Sequence, residues 1–385
     1  MNPFDFRTVP CLRIEAGLAR HLGQQLRSYF PDQRRLCLVT DAFLHSSGLL
    51  DTALANLQAH HWTVHLITDV VADPPEHVVL TAAEKARHFG PDVVLGLGGG
   101  SSMDVAKLLA VLLGSDQPLA EMYGIGQVKG PRLPLVQMPT TAGTGSEVTP
   151  ISIVTTGQTT KSGVVSPILY ADIALLDAEL TLGLPTQATA ATGIDAMVHA
   201  LEAYTTRHLK NPVSDVLALK ALSLLSSNIL LACRDGRNLA AREAMLLGSM
   251  LAGQAFANAP VGAVHALAYP IGGIFHVAHG LSNSLVLPHV MRFNMPQAYP
   301  LYAEIAGVVL PGCTGSAQDK ATALIEFFES VAHETGLPVQ LRQVGIQEKD
   351  LPVMAREAMQ QTRLLGNNPR EVTEENALDI YTAAY

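Results

Sequence analysis

The first half of the chain alternates short apolar runs with segments of helical periodicity. Apolar runs of strand length occur in RRLCLVTD, WTVHLITDV and PDVVLGLG, and they suit strands buried on both faces of a sheet. Between them, apolar residues recur with helical spacing in SSGLLDTALANLQAHH and EHVVLTAAEKARHFG. This alternation predicts an α/β fold with a doubly wound parallel sheet.

The second half largely lacks strand-like runs and is rich in Ala and Leu. Helical patterns occur in DVLALKALSLLSSNILLAC, REAMLLGSMLAGQAFANA, GAVHALAYPIGG and KATALIEFFESVAHETG. The change falls near residue 180. We therefore predict an α/β domain over residues 1–180 and an all-helical domain over residues 181–385.

Composition excludes several classes of partner. The 385 residues carry a net charge of −9 without a basic stripe, so neither nucleic acid nor an anionic membrane is an expected partner. The N-terminus has no apolar signal core, and we expect no stretch to reach the length of a membrane span. The four cysteines are scattered without a CxxC pair, which is typical of reduced thiols in a cytoplasmic protein.

A glycine-rich loop follows the run PDVVLGLG. Glycines between a strand and a helix let the backbone approach a phosphate, which the helix N-terminus attracts. We expect two serines to cap the helix and donate to phosphate oxygens, with an acid in the first turn. A plain glycine turn with a capping serine is the alternative. The residues are Gly98, Gly99, Gly100, Ser101, Ser102 and Asp104.

A second polar loop, rich in small hydroxyl side chains, follows the run LPLVQMP. A Ser/Thr-rich turn is one explanation, but one dinucleotide lying across both loops explains two such loops at strand ends better. The hydroxyl residues singled out are Thr140, Thr141, Thr144 and Ser146. Asp41 ends another strand, where it could accept from an adenosine ribose hydroxyl or simply cap the next helix. Lys161 could neutralise a phosphate or be solvated.

Four potential metal ligands lie in the second half. Asp195 and His199 are four residues apart in a predicted helix, which puts both side chains on one face. His265 and His279 bracket a Gly-rich stretch, which we expect to fold the chain back. Three imidazoles and one carboxylate suit a divalent transition metal such as Fe(II) or Zn(II). The chain has 14 His, so a chance pairing on an apolar helix is the alternative.

Taken together, these segments resemble the iron-containing (group III) alcohol dehydrogenase family over nearly the whole chain. The resemblance is carried by GGGSSMDVAK, PTTAGTGSEVT, LTLGLPTQATAATGIDAMVHALEAY and HALAYPIGGIFHVAHGLSNSLVLPHVMRFN. It implies a dehydroquinate-synthase-like N-terminal domain, an all-helical C-terminal domain, NAD as cofactor and iron, or zinc, as the metal. It also implies a homodimer or a larger homo-oligomer.

The resemblance assigns roles to individual residues. It implies metal ligation by Asp195, His199, His265 and His279. It implies pyrophosphate binding by Gly99, Gly100, Ser101 and Ser102, and further cofactor contacts by Thr140, Thr141, Thr144 and Lys161. Asp41 stands where an acid selects NAD over NADP, and Phe256 matches a residue beside the nicotinamide and substrate.

Three positions depart from the family pattern. Many members have a proposed proton-relay His four residues after the third ligand, where this chain has Tyr269. His276 stands where others often have Asn, and we hypothesise that it takes over part of the polar role, with packing as the alternative. Asp73 replaces an Asn of the family, which makes its contact with the adenosine side a separate question.

The implied activity is interconversion of a primary alcohol or diol and its aldehyde with NAD, the metal polarising the substrate oxygen. A metal-independent maleylacetate-reductase-like enzyme is the alternative within the superfamily, but such sequences lack the full ligand set. Glycerol-dehydrogenase-like enzymes use Zn(II) with fewer ligands. A catalytically silent nucleotide-binding or scaffold protein would need only the glycine loop.

Overall fold

The computed structural model describes residues 3–157 and 160–385. The strands are β1 (Cys11–Ile14), β2 (Arg35–Asp41), β3 (Thr63–Val70), β4 (Val93–Gly98), β5 (Gly124–Ile125), β6 (Leu135–Pro139), β7 (Ile151–Thr156), β8 (Thr160–Val165) and β9 (Ile173–Leu176). The helices are α1 (Leu22–Tyr29), α2 (Ala42–Ser46), α3 (Asp51–Ala59), α4 (Glu76–Phe89), α5 (Gly100–Gly114), α6 (Thr186–Thr205), α7 (Pro212–Arg234), α8 (Leu239–Asn258), α9 (Ala263–Phe275), α10 (His279–Val309), α11 (Ala317–Glu334), α12 (Leu351–Ala358), α13 (Thr362–Leu365) and α14 (Glu374–Ala384).

The chain forms two compact units. The α/β unit comprises Arg7–Thr141 and Gly145–Leu182. The helical unit comprises residues 3–6, Ala142–Thr144 and Gly183–Tyr385. The middle of the second polar loop therefore belongs to the helical unit, which the residue pattern does not predict.

A parallel sheet is the centre of the α/β unit. Within the described residues its strand order is β1-β9-β6-β4-β2-β3, and every pairing in it is parallel. Every residue of β4 and β6 is buried, because strands pair on both sides and α5 packs against both strands. This burial explains their continuous apolar runs and confirms the predicted fold class.

A smaller sheet in the same unit consists of β5, β8 and β7, in that order. β7 and β8 are antiparallel, with Ile151 opposite Val165. The sequence does not predict this sheet, because its residues read as the continuation of the second polar loop. The sheet matters for the site since Lys161 lies on β8.

The helix after the glycine loop begins without a side-chain cap. Gly99 is the N-cap of α5, and Ser102 is buried inside the helix. The prediction that Ser101 and Ser102 cap this helix is therefore wrong. Ser101 and Ser102 follow Gly100, the first residue of α5, so they lie within the first turn of the helix rather than at its N-cap.

One helix of the second unit contradicts an expectation from composition. α7 has 23 residues and is long and apolar enough to cross a membrane by length and composition alone. The expectation that no stretch reaches that length is therefore wrong. The core helix of a soluble protein passes the same test, and α7 packs against α6 and α8.

The chain reverses direction between α9 and α10. Gly272 and Gly273 lie inside α9, and the turn falls at His276, which has a left-handed backbone with φ of 56°. The chain therefore folds back between His265 and His279 as predicted, but the turn lies at His276 rather than at the glycines. Few residue types other than Gly adopt this conformation readily, and Asn and His are among those enriched there. The left-handed backbone thus accounts for a His at this position of the chain.

Candidate metal centre

The four predicted ligands come together in the helical unit. Asp195 and His199 extend from α6, His265 from α9, and His279 is the first residue of α10. One ligand atom from each lies within 4.8 Å of all the others. The Nε2 atoms of His265 and His279 lie 3.7 and 3.6 Å from Asp195 Oδ1. The structure thus brings together all four residues singled out by spacing and by resemblance.

Aromatic rings pack around the ligands. The His199 ring stacks on Phe256, with centroids 4.3 Å apart, and on His265 at 4.6 Å. The Tyr269 ring is tilted toward His279 at 6.2 Å. Phe256 and Tyr269 therefore lie at the cluster, whereas His276 is exposed at the end of α9. A catalytic role for these three residues stays a prediction.

Burial sets the protonation of two ligands. Burial lowers the pKa of His199 to about 3, although the facing Asp195 opposes the shift. Burial alone would raise the pKa of Asp195, but the three facing imidazoles and the Asn283 amide hold it below its usual range. At neutral pH the cluster therefore offers an ionised carboxylate and a neutral His199, which is the state that a metal requires of its ligands.

The donor set fits a divalent metal. His199 Nδ1 is buried without a hydrogen-bond partner among the described residues, so one imidazole nitrogen of the cluster is not satisfied by protein. One carboxylate and three imidazoles suit Fe(II) or Zn(II). The residues present therefore fit the metal that the sequence predicts.

Two polar residues at the cluster are not predicted from the sequence. Asn283 is fully buried, and its Nδ2 lies 2.6 Å from Asp195 Oδ1 and 3.2 Å from His265 Nε2. Glu202 is also buried, with Oε2 2.6 Å from His265 Nδ1. The available indication is helical spacing, since Glu202 follows His199 by three residues and Asn283 follows His279 by four.

The two polar loops of the α/β unit lie side by side. β4 and β6 are neighbours, with Gly98 opposite Pro139, and Thr140 N donates to Gly98 O at 3.0 Å. A Cβ on Gly99 would meet Thr141 at 3.9 Å. The carboxyl ends of two parallel strands thus bring together the glycines and the hydroxyls, which is where such folds bind dinucleotides.

Asp104 and Ser146 are bound to each other and to a buried lysine. Ser146 Oγ donates to Asp104 Oδ1 at 2.6 Å, and Asp104 Oδ2 accepts from Ile153 N at 2.9 Å. Lys107 Nζ donates to Ser146 Oγ at 2.7 Å and to Ile151 O at 2.6 Å. This network ties α5 to the end of the second loop and to β7, so it holds the two loops in register.

A buried carboxyl beside this network predicts a pH-dependent stability. Burial raises the pKa of Glu147 from 4.5 to about 7, against the opposing effects of its own backbone N–H and of Lys107. The folded state therefore binds this proton more tightly than the unfolded chain does. The contribution of Glu147 to the free energy of unfolding is fully present below pH 4.5 and is lost as pH rises through 7, by about 3 kcal/mol.

We expect Glu147→Gln to remove this dependence, because the amide stays neutral at every pH. The midpoint temperature of the variant, relative to wild type, should rise between pH 4.5 and 8 in thermal unfolding. If the midpoint temperatures of the variant and the wild type differ by the same amount at every pH in this range, the expectation is contradicted.

Three charged residues predicted at the cofactor have partners within the α/β unit. Asp41 caps α2, since its Oδ1 accepts from Leu44 N at 2.9 Å. Asp73 has a left-handed backbone with φ of 49°, and its Oδ1 pairs with Lys161 Nζ at 2.7 Å. The Lys161 side chain is only 4% exposed, so the alternative of a solvated lysine is wrong. Cofactor contacts of these three residues stay predictions.

The fold and the cluster define a class of protein. Its α/β unit has loops of the dinucleotide-binding type, and its helical unit has a cluster of four candidate metal ligands. Two family descriptions match nearly the whole chain. Residues 11–178 match "Iron-containing alcohol dehydrogenase" and residues 189–385 match "Fe-containing alcohol dehydrogenase family, C-terminal". The chain belongs to the iron-containing alcohol dehydrogenase family, and it is an oxidoreductase of the alcohol dehydrogenase type.

Relatives extend over nearly the full length. Long-chain-alcohol dehydrogenase 1 of Geobacillus thermodenitrificans is 40% identical over 356 residues, which is 91% of this chain and 90% of the relative. The crystal structure of 1,3-propanediol oxidoreductase has a TM-score of 0.95 at 33% identity, with full coverage of both chains. A sulfoacetaldehyde reductase from Bifidobacterium kashiwanohense, in complex with NAD+, has a TM-score of 0.88 at 26% identity, covering 100% of this chain and 99% of the other.

Proposed function

We propose that the chain is a metal-dependent, NAD-linked dehydrogenase that interconverts a primary alcohol or diol and its aldehyde. The observation that carries the proposal is the convergence of Asp195, His199, His265 and His279, whose ligand atoms lie within 4.8 Å of one another. Fe(II) fits this donor set, and Zn(II) can take its place. When bound, such an ion supplies Lewis-acid polarisation of the alcohol or carbonyl oxygen.

Different residues of the chain bind the metal, the cofactor and the substrate. The carboxylate of Asp195 and the three imidazoles hold the ion, and Phe256 packs against His199 so that this ring keeps its orientation. The glycine loop with Ser101 and Ser102 binds the pyrophosphate of NAD at the start of α5, and the neighbouring threonines contact the rest of the cofactor. Tyr269 lies against His279 and lines the substrate side. The NAD+ bound to the sulfoacetaldehyde reductase relative supports this choice of cofactor.

The alternative is a metal-independent reductase like maleylacetate reductase. It would have no need of four converging ligands, so the cluster disfavours it. The names of the relatives span long-chain alcohols, 1,3-propanediol and sulfoacetaldehyde, which supports an alcohol or aldehyde as the substrate class. We also propose a cytoplasmic homodimer or larger homo-oligomer, which rests on the family alone.

Elemental analysis coupled to an alcohol screen tests the proposal. We expect one iron or zinc ion per chain, because the four candidate ligands form a single cluster. We also expect NADH to form with 1-dodecanol or 1,3-propanediol, which represent the alcohols named for the relatives. NADP+ should be a poor substitute, since Asp41 repels a 2′-phosphate. Chelation should remove activity, and anaerobic addition of Fe(II) should restore it. Full turnover by protein shown to be free of metal would contradict the proposal.

A further inference from the structure

We propose that Glu202 is a positioning residue of the metal centre, which it orients through His265. The proposal rests on the proposed metal-dependent function and adds a group that is not itself a ligand. Its carboxylate accepts a hydrogen bond from His265 Nδ1 and so keeps Nε2 free to bind the metal. The contact joins α6 to α9, two helices that each supply ligands.

Both oxygens of Glu202 are engaged by α9. Oε2 lies 2.6 Å from His265 Nδ1, and Oε1 accepts from Val264 N at 2.7 Å. Only 5% of the glutamate side chain and 4% of the histidine side chain are exposed. Hydrogen bonds to a charged acceptor are short and strong, and two anchors on consecutive residues leave the carboxylate little freedom. The bond therefore holds the imidazole ring in one orientation.

The same contact decides which nitrogen of His265 carries the proton. A carboxylate only accepts, so Nδ1 bears the hydrogen and Nε2 keeps its lone pair. Asn283 agrees independently, because its Nδ2 donates to Asp195 Oδ1 at 2.6 Å and lies 3.2 Å from His265 Nε2. The amide can donate to Nε2 only if that nitrogen is an acceptor. The lone pair of His265 therefore points into the cluster.

One face of α6 carries both the metal ligands of this helix and the residue that orients His265. Asp195, His199 and Glu202 stand at positions i, i+4 and i+7, which share a face. The first two are ligands, and the third orients a ligand on another helix. Loss of such an outer carboxylate typically weakens metal binding about 10- to 100-fold.

Zn(II) affinity, measured by competition with a chromophoric chelator, tests the role of Glu202. We expect Glu202→Leu to weaken binding about 100-fold and Glu202→Gln about 10-fold, because the amide oxygen can still accept from Nδ1. The matched control is Glu304→Gln, since Glu304 lies on α10 and is hydrogen-bonded to the Tyr204 hydroxyl. This control should bind Zn(II) like wild type.

Two further readouts separate positioning from a merely structural role. The visible spectrum of the Co(II)-loaded protein should change in both Glu202 variants and not in the control. The rise in midpoint temperature on adding Zn(II) should shrink in the Glu202 variants. If both variants lower the stability of the metal-free protein but keep the wild-type Zn(II) affinity, Glu202 is structural and the inference is overturned. If wild type itself binds no metal, the proposed function fails as well.

Discussion

His265→Ala is expected to lose both the bound metal and alcohol oxidation. The substitution removes one of four ligands and leaves the buried carboxylate of Glu202 without its imidazole partner. Lewis-acid stabilisation is worth several kcal/mol, so turnover should fall at least about a thousandfold. Elemental analysis and initial rates of NADH formation, measured on the same preparation, check both parts of this expectation.

His333→Ala is the control for this substitution. His333 lies exposed on α11, outside the ligand cluster, so its replacement should leave metal content and rate unchanged. Normal turnover by His265→Ala in metal-free form would exclude the metal-dependent chemistry. Normal metal content with normal turnover would exclude His265 as a ligand.

Gly280→Ala is expected to destabilise the helical unit and to weaken metal binding together. A Cβ at this position would lie 2.3 Å from the Ala191 carbonyl oxygen and 3.3 Å from the Asp195 Cβ. The obstacle at Ala191 is backbone of α6, which no side-chain rotation can relieve. The first turn of α10, which begins with His279, must therefore move away from α6. Overpacking of this kind costs about 1–3 kcal/mol, and it displaces a ligand as well.

A second glycine of α10 provides a control for the same chemical change. A Cβ on Gly307 would have no neighbour within 4 Å, so Gly307→Ala should be neutral or stabilise the helix by up to about 1 kcal/mol. Thermal unfolding and chelator competition measure both effects. Wild-type stability and affinity in Gly280→Ala would show that the close approach of α6 and α10 does not set the ligand geometry.

Several features of this protein follow from local patterns along the chain. Apolar runs and helical periodicity predicted the parallel strands β2, β3, β4 and β6 and the long helices of the second unit. Strands buried on both faces are continuous apolar runs, which the sequence shows directly. The spacing of Asp195 and His199 predicted one shared helix face. Residue type then predicted the kind of metal, because carboxylate and imidazole donors have intrinsic preferences.

Local patterns failed where a contact depends on the approach of separate segments. The serine caps were wrong because α5 begins at Gly100, with Gly99 as its N-cap, which places Ser101 and Ser102 inside the helix. The chain reversal before α10 occurs at His276 rather than at the glycines. Lys107 looks like a surface lysine in a helix, yet it is fully buried among acceptors from β7 and the second loop.

The sequence by itself determined the class of fold, the four candidate ligands and the family, because each is encoded in residue types and short spacings. Only the tertiary structure decided what surrounds the ligands. Glu202 reaches a histidine 63 residues away, and Asn283 reaches a carboxylate 88 residues away. Helix packing determines which residues become such partners. For Asn283 and Asp195, the packing is the close approach of α6 and α10 at Gly280. Spacing along one helix shows which face a side chain occupies, but packing decides what that face meets.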